Sequence, residues 1–106
     1  MGVDVESLNE GTCRSGTLTG IGATAVLLAV NSVNLHGRKG LYIKNTSDVV
    51  LLWGFSSTSC IIPLATESAP GKADGGDIWI DVGENQNVYI LAISGSSKTA
   101  ALAELR

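Results

Sequence analysis

The stretch GLYIKNTSDVVLLWGF, residues 40–55, sets the fold class. Two apolar runs flank Asn45, Thr46, Ser47 and Asp48, whose short polar side chains bond back to nearby backbone and favour a turn. Residues 41–45 and 49–55 therefore read as the two strands of a hairpin. Along a strand, side chains alternate between faces, so Val49, Leu51, Trp53 and Phe55 point one way and Val50, Leu52 and Gly54 the other. Both sets are apolar, and such a strand needs cover on two sides.

The same double-sided pattern recurs in VYILAIS, residues 88–94, where Val88, Ile90 and Ala92 oppose Tyr89, Leu91 and Ile93. In a two-layer sandwich one face of each sheet meets the core and the other normally turns polar. Leaving several Val, Leu and Ile side chains in water forgoes on the order of 1.5–3 kcal/mol each and invites aggregation. The expectation is a homo-oligomer, with Val50, Leu52, Tyr89, Leu91 and Ile93 assigned to the interface that a partner subunit covers. The alternative cover is a long loop or the N-terminal segment folded over that face.

Outward from these strands, turn residues separate further short β segments: ATAVLLAV from residue 23, CIIPLA from 60, IWIDV from 78 and KTAALAEL from 98. Pro63 lacks a ladder donor and places its strand at a sheet edge. About seven strands at this spacing, without an amphipathic helix, predict an all-β protein: an antiparallel β-sandwich or jelly-roll-like barrel over residues 23–106. Residues 1–22 carry five glycines and no sustained period, and read as an irregular N-terminal arm.

Composition narrows the function classes. Charged residues make up 16% of the 106, against an ordinary level of about 25%. The basic residues are scattered except for Arg38-Lys39, and the net charge is −3, which speaks against a nucleic-acid partner. The longest uncharged apolar stretch, residues 21–30, is too short to span a bilayer and poorly flanked for a signal peptide, so no membrane partner is expected and synthesis in a cytoplasm is. Cys13 and Cys60 read as two reduced, buried thiols, a disulfide between them staying open for a protein that ends up outside the cell.

Catalytic chemistry has little to stand on. His36 is the one histidine and reads as a loop residue; a triad with Asp48 and a serine lacks any nucleophile elbow. Asp74, Asp77 and Asp81 surround a DGGD turn, where Asp and Gly serve the turn itself as readily as a calcium ion. One His and two distant Cys do not make a zinc site. The glycines of GTLTGIG and the Lys98-Thr99 pair miss the nucleotide fingerprints, and the Asn45-Thr46-Ser47 sequon matters only on secretion. No enzyme and no cofactor are expected.

The order NLHGRKGLYIKNTSDVVLLWGF, then IPL, a Gly-rich loop and VYILAISGSSKTAALAEL, resembles small β-rich virion proteins encoded beside the capsid genes of tailed bacteriophages. The matching positions are Arg38, Leu41, Tyr42, Ile43, Asn45, Ser47, Leu52, Gly54, Tyr89, Ile93, Ser94 and Gly95. The resemblance covers roughly residues 23–105 and leaves the arm uncompared. It implies a capsid decoration, or cement, protein: a homotrimeric sandwich on the virion surface, bound to the major capsid protein where capsid subunits meet. A rival class is a carbohydrate- or receptor-binding module of a virion surface or tail fibre, with Tyr42, Trp53, Trp79 and Tyr89 as stacking platforms. Burial in the core is the expected fate of these aromatics.

Overall fold

A computed structural model describes residues 13–30, 33–69, 72 and 74–106. It is an all-β sandwich of two four-stranded antiparallel sheets, built from β1 (Cys13–Ile21), β2 (Val26–Leu27), β3 (Gly40–Asn45), β4 (Leu51–Gly54), β5 (Ile62–Leu64), β6 (Asp77–Ile80), β7 (Tyr89–Ala92) and β8 (Lys98–Leu105). The first sheet runs β1-β8-β3-β6 and the second β2-β7-β4-β5. No α-helix occurs among the described residues.

The chain changes sheet at almost every step; only β4 and β5 are consecutive strands of one sheet. This corrects the hairpin expected across residues 41–55, because β3 and β4 lie in opposite sheets. The reason lies in Asn45, fully buried at the end of β3. Its Nδ2 donates to Val49 O (2.8 Å) and Leu64 O (2.9 Å), while its Oδ1 accepts from Ser47 N (2.8 Å) and Ser47 Oγ (2.7 Å). The turn residues do bend the chain, but the bend is an arch over the end of the core, satisfied by side chains because no ladder passes through it.

The expected arm boundary at residue 22 also moves. Residues 13–21 form the nine-residue β1, paired with β8 from Cys13–Leu105 to Leu18–Ala100, with a bulge before Ile21–Lys98. It was hidden because its inward positions carry Arg14, Gly16 and Leu18, which give no apolar period. This strand raises the count from seven to eight; the rest of the expected arm, residues 1–12, lies outside the described residues. Of the segment 23–30, only Val26–Leu27 is strand, paired with Ile90 and Tyr89.

The core sits between the sheets: Leu41, Ile43, Ala100 and Leu102 from the first face Leu51, Trp53, Ile90 and Ala92 from the second, closed by Ile21, Leu28 and Val88. Pro63 sits on β5, an edge strand, as its missing donor requires. The last residue of β4, Gly54, has no room for a side chain, which would run into the carbonyl of Ser59 on the returning loop.

Candidate interaction surfaces

One end of the core is closed by charge. Glu104 is fully buried, in phase with Ala100 and Leu102 on the inward side of β8. Its Oε1 accepts from Arg14 Nε (2.8 Å) and Val30 N (3.0 Å), and its Oε2 from Leu35 N (3.0 Å) and Arg38 Nη1 (3.0 Å). The Arg38 side chain, also fully enclosed, donates further to Asn34 Oδ1 (3.1 Å), Gly83 O (2.9 Å) and Gln86 O (2.6 Å). Arg14 reaches on to Val33 O. A carboxylate with this many donors and a guanidinium with this many acceptors are compensated for burial, and together they fasten the loops before β3 and after β6 to β8.

Nothing in the sequence marks this network as a site, and Arg38 stands out only for its place in the sequence pattern. Glu104 carried a usable signal: it falls on the apolar parity of AALAEL. An acid at an inward position of a strand requires a buried cation, and two arginines supply it.

The outward side of the second sheet holds the residues assigned to an interface. Val50 lies beside Ile93, whose N–H donates to Val50 O (3.3 Å); Leu52 pairs with Leu91 on one side and Pro63 on the other; Tyr89 pairs with Gly54 and Leu27. All five assigned residues thus share one face, opposite the core-facing Leu51, Trp53, Ile90 and Ala92. Ile93 is 56% exposed and Ile61, beside this sheet, 75%. Val50, Leu52, Tyr89 and Leu91 are half-buried. These paired rows contain no charged residue.

The outward side of the first sheet has a different chemistry. A row runs Trp79, Tyr42, Ala103, Ser15 across β6, β3, β8 and β1, and the next runs Asp77, Lys44, Ala101, Thr17. Trp79 is 48% exposed, with its ring centroid 6.2 Å from that of Tyr42. Tyr42 Oη donates to Asp77 Oδ2 (2.6 Å), and this bond, aided by burial and by the carboxylate charge, raises the phenol above its ordinary range. The aromatics expected in the core therefore divide. Trp53 is core, while Trp79 and Tyr42 stand on one outer face and Tyr89 on the other.

The remaining candidates stay apart. His36 Nδ1 lies 3.1 Å from Glu84 Oε2, and Asp48 is held by Lys98 Nζ (2.8 Å). His36 neighbours Arg106, just past the far end of β8 from Lys98, so the strand's length, about 25 Å, separates the imidazole from Asp48. Asp74 binds Ser68 Oγ (2.5 Å), Asp77 binds Tyr42, and no cluster suited to a metal ion occurs among the described residues. Cys60 is buried, and burial raises its thiol pKa; Cys13, expected to be buried, is exposed because it faces outward on an edge strand. A polar groove lined by Thr46, Asp48, Ser68, Ser97, Lys98 and Thr99 lies beside the arch after β3, without a paired nucleophile and base. Comparison with protein-family models, curated proteins and solved structures gave no match.

Proposed function

We propose that this chain is a structural virion protein, a capsid decoration protein that self-associates as a homotrimer and braces the shell by bridging major capsid subunits. The observation that supports this reading is the charge-free outer face of the second sheet, where Val50, Leu52, Tyr89 and Leu91, each half-buried, stand together with the exposed Ile93. Covering the parts of these side chains still in water is worth roughly 1 kcal/mol for each one. In a closed trimer this face on each copy packs against a different surface of the next, and the same contact repeats three times around the axis. Its role is mechanical. Buried area of about 800 Å² per copy on the shell is enough for a stable contact, and many copies around a head oppose internal pressure by adding contact across subunit joints.

Light scattering on the purified protein tests the assembly step. The expectation is a discrete oligomer at micromolar concentration that Leu91→Lys converts to monomer without loss of β structure; a wild-type monomer refutes it. Mixing with undecorated phage heads tests the second step: saturable binding and a higher temperature of head disruption are expected, and no co-sedimentation refutes the capsid role.

A further inference from the structure

Trp79 departs from the rule that a small domain hides its indoles. It stands at the β6 edge of the first sheet, half in water, and its six-membered ring lies across Gly40, where an added Cβ would come within 2.9 Å of Cζ2. Tyr42 flanks it, tilted by 38°. The ring is thus held in place on two sides while part of its surface stays open. A side chain ordered in advance loses little entropy when something stacks on it.

The surroundings say what that could be. Beyond Tyr42 the face is a low floor of Ala103, Ala101, Ser15 and Thr17, and beside the aromatics stand the Asp77 carboxylate and the Lys44 ammonium. One indole and one phenol supply an apolar area of a few hundred Å² at most, well short of the roughly 800 Å² that a protein partner covers on each side. The area suits a small ring whose edge is polar. A pyranose with equatorial hydroxyls has that form: its axial C–H bonds present an apolar face to the electron-rich indole, and its rim needs both donors and acceptors. Lys44 can donate, Asp77 and the Tyr42 oxygen, whose proton goes to Asp77, accept, and Ser15 and Thr17 do either. The floor extends three strand spacings from Trp79 to Ser15, about 14 Å, which accommodates an extended chain and not only its terminal ring.

We infer that the outer face of the first sheet is a binding platform for β-linked, gluco-configured oligosaccharides, stacked on Trp79 and hydrogen-bonded by Asp77, Lys44 and Tyr42. This face lies on the opposite side of the sandwich from the proposed self-association surface, so each copy in an oligomer keeps its platform, and weak single sites combine into tight attachment to a polysaccharide surface.

Tryptophan emission reads the site directly, because Trp53 is core and Trp79 is not. Full-length protein titrated with cellohexaose or chitohexaose should show a blue shift and protection of the exposed indole from acrylamide quenching, while maltohexaose, its α-linked counterpart, should bind at least several-fold more weakly. Trp79→Ala should abolish binding measured by calorimetry. Gly40→Ala keeps the indole but displaces it, and should weaken binding by roughly ten-fold with an unchanged far-ultraviolet spectrum. Leu91→Lys should leave sugar affinity per chain unaltered, so the platform stands or falls independently of self-association. The inference is overturned if neither β-linked hexamer binds, if maltohexaose binds as tightly as cellohexaose, or if Trp79→Ala binds like the wild type.

Discussion

Replacing Arg38 with Met keeps the aliphatic stem and removes a guanidinium that three segments share. Glu104 Oε2, Asn34 Oδ1, Gly83 O and Gln86 O each lose a donor at 2.6–3.1 Å, and the Glu104 carboxylate among them is fully buried. Removing one partner of a buried ion pair costs about 3–5 kcal/mol, because the other charge stays behind uncompensated. Here Arg14 still holds Glu104 Oε1 (2.8 Å), which argues for the lower half of that range. A chain of this size has only about 5–15 kcal/mol in total, and each kcal/mol lost lowers the melting midpoint by roughly 4–8 °C. Urea unfolding followed by Trp53 emission gives the number, run at several protein concentrations because self-association adds to apparent stability. Combining Arg38→Met with Glu104→Gln should cost less than the sum of the two single changes by about 1–3 kcal/mol, since each removes the same pair. A cost below about 1 kcal/mol for Arg38→Met, or strict additivity of the pair, refutes the view that this network fastens the loops to β8.

Asn45→Ala strips the arch after β3 of the amide that serves Val49 O, Leu64 O and Ser47 N; a loss of roughly 2 kcal/mol or more is expected in the same unfolding assay, against near-zero for Asn85→Ala in an exposed turn. Tyr42 ionises above the ordinary tyrosine value of about 10, so the stability it contributes is complete below that pH and is lost as pH rises through the folded pKa. Ultraviolet titration should show Tyr42 ionising at lower pH in Asp77→Ala than in the wild type. Glu84 is held below the usual carboxylate range, first by the Gly37 N–H (2.9 Å) and then by His36, so its clasp on that loop is complete above the ordinary glutamate pKa and released as pH falls through the folded one. The Gly37 amide resonance should move over that acidic window in the wild type and stay still in Glu84→Gln.

Strand content is legible where a short apolar run is bounded by turn residues, as at residues 51–54 and 89–92, and Pro63 marks its strand as an edge. Residues 13–21 carry no such signal, because an edge strand facing a charged, glycine-lined margin has no apolar alternation to show. The turn at 45–48 was legible as a turn, but not as an arch, since Asn and Ser satisfy local backbone equally well whether the chain returns to the same sheet or crosses to the other.

Local sequence is enough for the alternation of side chains, the all-β class and the grouping of Val50 with Leu52 and of Tyr89 with Leu91 and Ile93, because parity along a strand is a local property of the backbone. That these two groups share one outward face, that Glu104 meets two arginines and that Trp79 lies open over Gly40 emerges only once the strands are assembled. Those outcomes depend on strand order and register between segments distant along the chain, and no local periodicity encodes which strand will be a neighbour.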